Sequence, residues 1–194
     1  MSLFPTFKSV FKMLKTMNEG QPKLAQQVEQ TQIVLSFSQQ YKNNNINIEN
    51  DGKIAICNSP ELYKNHFVIC EQKIPKNGCF SFSFKIGGWV MIGVCDKQKI
   101  LEQKYIAQFE QSYGHGCYLI ENDGTLYSSL KIEKNSEKAF SYTEYDIVSV
   151  LIDMDQKLIK WKKLNKTENF EMKIETSDDL YPCIGLGQAW VEII

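Results

Sequence analysis

CFSFSFKI, at positions 79–86, alternates between apolar and polar side chains from Phe80 onward. A β-strand points successive side chains to opposite faces, so this alternation predicts a strand with one buried face. The buried face carries Phe80, Phe82, Phe84 and Ile86. A slip of one residue would exchange the phenylalanines for polar side chains and forfeit roughly 5–9 kcal/mol of burial, so the facing of this strand is strongly specified.

Similar strand-like runs lie on both sides of this segment, at the short spacing that is typical of β-sandwiches. They are residues 33–37, 53–57, 66–70, 89–95, 116–120, 126–130, 147–153, 157–164, 183–186 and 191–194. The pattern predicts an all-β fold, a two-layer antiparallel β-sandwich over residues 33–194.

The string Ile-Glu-Asn-Asp-Gly occurs twice, at residues 48–52 and 120–124. Asn, Asp and Gly tolerate the positive φ of tight turns, so both copies predict hairpin turns. A calcium loop is the alternative for both copies and for Asp153-Met154-Asp155, although all three lack the ligand spacing of an EF-hand. Residues 153–156 are also predicted to form a bend between two strands.

The amino-terminal segment from Leu3 to Met17 repeats apolar residues at spacings of three and four, with lysines on the opposite side of a helical wheel. This predicts an amphipathic helix, and a second, more polar helix is predicted from Pro22 to about Gln32. The apolar stripe that must dock carries Phe4, Phe7, Phe11 and Leu14. Its docking surface is the chain's own body, another protein or a membrane. The predicted organisation is a helical arm, residues 1–32, ahead of the sandwich domain.

The charge balance argues against a nucleic-acid partner. The 194 residues carry 22 basic side chains, all lysine, against 23 acidic ones, whereas nucleic-acid binding relies on a clustered basic surplus. Six cysteines lie far apart without a Cys-x-x-Cys pair, which argues against a zinc site and predicts reduced thiols in a reducing compartment. No apolar run reaches the ~20 residues that a transmembrane helix needs.

The motifs of common enzyme classes are missing: there is no nucleophile elbow, no phosphate loop and no His-Glu-x-x-His. We therefore predict a protein that is not an enzyme and that uses neither cofactor nor metal. Of the two histidines, His66 is predicted to be structural, while His115, between two glycines, is either a ligand contact or a solvated turn residue. Trp89 and Trp161 are predicted to be core residues, and Trp190 is left open.

Several stretches, read in order, resemble one known family. They are FSFKI and GWVMIGV within 82–94, YGHGCY at 113–118, DGTLY at 123–127, YDIVSVLID at 145–153, IKWKKLN at 159–165 and LYPCIGL at 180–186. This series resembles the SPRY domain family over roughly residues 33–194. The resemblance implies a β-sandwich that binds proteins.

Three positions depart from that family's pattern. The glycine expected before the aspartate is Tyr145, the Asn-Gly turn is Asn165-Lys166, and a Trp-Gly pair that contacts peptides in some members corresponds to Gln188-Ala189. No RING or B-box zinc pattern precedes the domain, so the ubiquitin-ligase role of tripartite-motif relatives is not implied. The resemblance implies the fold and protein binding in general.

The predicted function is a non-catalytic protein–protein interaction module, an adaptor or scaffold subunit of a larger multi-subunit intracellular assembly, cytoplasmic or cytoskeletal. Loop tyrosines supply contact area at low entropic cost, so the contacts are expected in the connections 58–65, 97–112, 133–142 and 165–179. The predicted contacts are Tyr63, Tyr113, His115 and Tyr142. Two alternatives stay open: a purely architectural subunit, and a small-molecule or glycan binder with a pocket lined by Trp190.

Overall fold

Strands account for most of the regular structure. The computed structural model describes residues 30–60, 64–106, 114–130 and 138–194. The strands are β1 (Gln30–Gln32), β2 (Phe37–Lys42), β3 (Ile46–Glu49), β4 (Ile54–Cys57), β5 (His66–Cys70), β6 (Cys79–Asp96), β7 (Cys117–Glu121), β8 (Leu126–Ser128), β9 (Ile147–Asp153), β10 (Leu158–Lys163), β11 (Asn169–Lys173) and β12 (Leu180–Ile193). One short helix, α1 (Lys97–Glu102), follows β6.

Two long strands, β6 and β12, pair with each other and carry the chain through both layers of the fold. Residues 79–88 of β6 and 189–193 of β12 belong to sheet I, whose strand order is β11-β10-β9-β6-β12-β4-β3. Residues 90–96 and 180–186 of the same strands belong to sheet II, with β7 and β8 on one side and β5 and β2 on the other. β1 adds a parallel strand beside residues 79–81 of β6.

The change from sheet II to sheet I coincides with a shift of register between Leu186 and Ala189. Gly187 and Gln188 fall inside this irregularity and face Gly88 and Trp89 of β6. Gly88 has φ +98°, and a Cβ there would lie 2.8 Å from the carbonyl oxygen of Gln188, so the strands approach more closely than a side chain allows. We call this region, residues 87–89 and 187–188, the crossover bulge.

The main core lies between the two sheets. The inward phenylalanines of β6 are buried, as the alternation predicts. Phe84 of sheet I stacks on Phe37 of sheet II, with ring centroids 6.0 Å apart. The side chain of Trp161 in β10 spans the core from sheet I to sheet II. Its Nε1 donates a hydrogen bond to the carbonyl oxygen of Ile92 at 3.0 Å. These contacts confirm the β-sandwich.

The outer face of sheet II has a smaller core of its own. It is made of Phe67, Ile69, Met91, Cys95, Ile100, Cys117, Leu119 and Cys183, all buried. The helix α1 supplies Ile100 and is capped at its N-terminus by Asp96, whose side chain accepts a hydrogen bond from the backbone N–H of Gln98 at 2.8 Å. Sheet II is therefore covered on both faces.

The repeated Asn-Asp-Gly strings form turns, as predicted. The first joins β3 to β4, with φ of 50°, 51° and 85° at Asn50, Asp51 and Gly52. The second joins β7 to β8, where the backbone N–H of Thr125 bonds to Asp123 Oδ1 at 2.8 Å. The bend at residues 153–156 joins β9 to β10 in the same way.

Other boundaries differ from the expectations. Residues 30–32, predicted to end a helix, form β1 instead, because they add backbone hydrogen bonds to the edge of β6. The connection 97–112, predicted as a loop, begins with α1, and the connection 165–179 contains β11, which pairs with β10. The predicted arm residues Phe4, Phe7, Phe11 and Leu14 lie outside the described ranges.

All six cysteines are buried and none forms a disulfide. Within the described ranges no three His, Cys, Asp or Glu side chains come together as a metal site would require. In the same ranges no helix has the length and apolar character needed to span a bilayer.

Candidate functional site

Trp89 is a surface residue, with 46% of its area exposed, although the sequence predicted a core position. The even-numbered residues of β6 face the main core on both sides of the crossover bulge, from Phe80 to Ile86 and from Val90 to Val94. Trp89 therefore belongs to the outward set with Ser81, Ser83 and Lys85. The alternation of inward and outward side chains along β6 would therefore have predicted the surface position of Trp89.

Trp89 is held in place by a carboxylate on the neighbouring strand. Its Nε1 donates to Glu121 Oε1 at 2.8 Å, and the Tyr127 hydroxyl donates to Glu121 Oε2 at 2.9 Å. The side chain of Asn65 makes a further hydrogen bond to Glu121. The sheet places these groups together because Glu121 lies opposite Met91 in the β6–β7 pair and Tyr127 lies opposite Leu119 in the β7–β8 pair.

Glu121 is a buried acidic residue, with only 7% of its area exposed. Burial raises the pKa of its carboxyl above the usual value, and the hydrogen bonds from Tyr127 and Trp89 act in the opposite direction. Asp123 raises the pKa further, because two negative charges repel. The donors around the carboxylate compensate part of the cost of burying it.

The facing strand of the crossover bulge completes the site. A Cβ built on Gly187 would lie 3.5 Å from Trp89 Cβ, so the backbone of β12 runs directly beside the tryptophan. The Gln188 side chain is tied down, because its Nε2 donates to the carbonyl oxygen of Ser59 at 3.1 Å. We refer to Trp89, Glu121, Tyr127, Gly187 and Gln188 as the Trp89 site.

The Trp89 site combines two kinds of side-chain group. It joins an exposed aromatic ring to a fixed, buried negative charge, on backbone that belongs to the centre of the sheet. Rigid aromatic groups of this kind are typical anchors in protein interfaces. Gln188 lies at the position that corresponds to the Trp-Gly pair noted in the sequence analysis. An exposed tryptophan is nevertheless present beside this position, because Trp89 of β6 lies next to Gly187.

Tyr142, predicted as a partner contact, is a core residue with 1% of its area exposed. Its hydroxyl is a hydrogen-bond donor to two backbone carbonyl oxygens, that of Val90 at 2.9 Å and that of Ile120 at 2.8 Å. Burial raises the pKa of this hydroxyl well above its usual value. The residue thus joins residues 138–142 to sheet II and presents no surface to a partner in this fold.

His115 is also buried, with 6% exposed, so the solvated turn expected from its two glycine neighbours is wrong. Its Nδ1 accepts a hydrogen bond from the backbone N–H of Cys117 at 3.1 Å. Burial lowers the pKa of the ring to about 4, helped by the charge of Lys99. His115 is therefore a neutral, internal hydrogen-bonding group. His66 is buried too, as predicted.

The other two predicted contacts, Tyr63 and Tyr113, lie outside the described ranges. Tyr63 is two residues before Asn65, which bonds to Glu121. Tyr113 precedes Gly114, whose Cα has open space around it for a side chain. Both stay predictions.

A second exposed aromatic group lies on the outer face of sheet I. Tyr145 has φ +69° and is 66% exposed. Its ring lies 6.1 Å from that of Trp190, which in turn covers Gly87. A cavity of about 200 Å³ lies elsewhere, between α1, the 114–116 turn and Glu175, and Trp190 does not line it.

The fold places this chain in the class of antiparallel β-sandwiches whose two sheets share strands. The SPRY domain family matches residues 79–194, more than half of the chain, and the chain belongs to that family. No curated protein matches the sequence.

Solved structures show the same fold at low sequence identity. The SPRY domain of human HERC1 matches with a TM-score of 0.62 and 18% identity, over 81% of this chain and 96% of that one. The PSpry domain of TRIM65 matches with a TM-score of 0.61 and 12% identity, over 84% and 93%. Stonustoxin matches with a TM-score of 0.64 and 16% identity, over 84% of this chain but only 27% of the toxin chain.

Proposed function

We propose that this chain is a non-catalytic recognition module that binds a protein partner through the Trp89 site. SPRY domains are generally protein–protein interaction modules, and the chain belongs to that family. The proposed role is that of an adaptor or scaffold subunit, which holds its partner within a larger intracellular assembly.

The observation that carries this proposal is the exposure of Trp89 at a rigid point of the fold. A large aromatic side chain left half in water gains free energy when a partner covers it, at about 25 cal/mol per Å² of apolar area. Its hydrogen bond to Glu121 fixes the indole before binding, so little side-chain entropy remains to be lost. Trp89 therefore has the properties of an interface anchor.

Tyr63 and Tyr113 are proposed as further contacts, on the same grounds that favoured them in the sequence. Tyr142 and His115 leave this set, because both are internal. The buried thiols, none of them bridged, support an intracellular setting, since disulfides are rare in reducing compartments.

The experiment is affinity capture with the full-length chain, followed by identification and purification of the captured protein. Trp89→Ala should weaken its affinity by more than about tenfold, the loss that marks an interface anchor. The matched control is Tyr145→Ala, which removes an even more exposed aromatic ring on sheet I and should leave the affinity within about twofold. Equal affinity of wild type and Trp89→Ala, with both folded, would move the contact surface elsewhere.

A further inference from the structure

Glu121 is a buried carboxylate that forms no ion pair with a basic side chain in the part of the chain that the structure describes. Its partners are neutral donors, from Trp89, Tyr127 and Asn65. None of the ion pairs in the described ranges includes it, and the charged group that acts on it, Asp123, is also acidic. Asp123 itself is balanced by Lys138 at 3.0 Å. Among the described residues, the charge of Glu121 is thus uncompensated by a cation.

A structural role alone does not call for a charge at this position. A neutral glutamine could accept from the indole with its oxygen and donate from its amide to the Tyr127 hydroxyl, which can also accept, and it avoids the cost of removing an ionised group from water. A buried charge without a counter-ion is expensive, and part of that cost is recovered when a cation arrives. The carboxylate therefore points to a positively charged ligand group.

The indole of Trp89 strengthens the same preference. A cation is attracted to the negative face of an aromatic ring, and tryptophan is the most effective side chain for this contact. Here the N–H of the ring donates a hydrogen bond to the Glu121 carboxylate at 2.8 Å. This hydrogen bond polarises the indole and makes its ring more electron-rich. A positive group on the exposed indole would also lie close to the negative charge of Glu121, in surroundings partly screened from water.

We propose that the Trp89 site binds a cationic side chain, lysine or arginine, of the protein partner, with its charged group on the Trp89 ring and its charge balanced by Glu121. The inference rests on the proposed function and specifies the chemistry of the partner. An acidic segment is disfavoured at the same place, since the charge of Glu121 would repel it.

The test uses a display library of random 12-residue peptides, selected on the immobilised full-length chain. Peptides that bind wild type but not Trp89→Ala should share a lysine or arginine at a fixed position. Replacing that residue by norleucine or citrulline, which are uncharged and similar in shape, should weaken binding to wild type about tenfold. The same replacement should cost less on Glu121→Gln, about two- to fivefold, because the balancing charge is gone and only the attraction of the Trp89 ring remains.

Two controls separate this inference from the proposed function. Glu192→Gln makes the same charge change on sheet I and should keep the full tenfold effect. Peptides that need Trp89 but share a neutral or acidic residue would overturn the cationic assignment and leave the proposed function standing. Failure to select any peptide that depends on Trp89 would overturn both. The norleucine and citrulline comparison on wild type decides the matter even if Glu121→Gln does not fold.

Discussion

Tyr145 has a left-handed backbone, φ +69°, at the position where related sequences were expected to have glycine. Such a conformation costs a non-glycine residue about 1–2 kcal/mol, because Cβ approaches the neighbouring carbonyl oxygen. The chain retains a tyrosine there, and its ring lies against Trp190 on the surface. The backbone of this turn is therefore under more strain than a glycine would impose.

This strain predicts an order of stabilities. Tyr145→Gly and Tyr145→Ala both remove the ring, but only glycine relieves the backbone, so the glycine variant should be more stable than the alanine variant by about 0.5–1 kcal/mol. Urea denaturation monitored by circular dichroism measures the difference. An alanine variant at least as stable as the glycine variant would show that the turn is not strained.

His115 predicts a pH dependence of stability. Its pKa is about 4 in the folded chain and near 6.5 when unfolded, so the unfolded state binds a proton first as the pH falls. Stability should therefore decrease between pH 6.5 and 4, by at most roughly 3 kcal/mol, and this contribution should level off below pH 4. His115→Asn retains a hydrogen-bond acceptor and should flatten the change in that window. Urea midpoints of the two proteins measured from pH 7.5 to 4 test this, and parallel curves would contradict it.

At the scale of the element, the alternation of β6 carried much of the information in the sequence. It correctly placed the phenylalanines inside, and the Asn-Asp-Gly turns followed from local chemistry. The same alternation also places Trp89 outside, whereas the apolar neighbours of Trp89 favour a core position. The burial of Tyr142 could not be read in the same way, because its hydroxyl bonds to strands distant in sequence, and no local pattern records such contacts. The two glycines beside His115 gave no sign that its ring is buried.

Strand packing also predicts a contrast between two glycines of sheet II. A Cβ on Gly93 of β6 would lie 2.0 Å from the carbonyl oxygen of Tyr118, whereas a Cβ on Gly185 of β12 would be 3.3 Å from Met91 Cβ. Gly93→Ala should therefore force β6 away from β7 and destabilise the protein by at least about 1–3 kcal/mol. Gly185→Ala should cost clearly less, because a few tenths of an ångström suffice. Urea midpoints of both variants measure this contrast, and equal losses would contradict it.

At the scale of the whole molecule, the sequence predicted the class of fold and the family, since strand pattern and motif order run along the entire domain. The arm at residues 1–32 is corrected at residues 30–32, which form a strand, while its apolar stripe lies outside the described ranges and stays a prediction. The Trp89 site was missed because it depends on four strands, β6, β7, β8 and β12, and on a register shift. A site of this kind exists only in the assembled sheet.

The burial of all six thiols predicts their behaviour towards a water-soluble disulfide reagent. In the native chain none should react quickly, since a thiol must reach solvent and ionise, and burial raises the pKa of the thiols of Cys70, Cys117 and Cys183 well above the usual value. In denaturant all six should react at once. A native chain that titrates several thiols within the mixing time would contradict the burial.

The passage of β6 and β12 through both sheets limits how this protein can move. Each strand is a single covalent backbone. The two sheets therefore cannot slide past each other or separate without breaking the backbone hydrogen bonds that pair β6 with β12. Adaptation to a new binding partner must then come from side chains and connecting segments, while the angle between the layers stays constant. Replacing the loops of this β-sandwich should therefore change which partner the protein binds without changing the arrangement of the two sheets.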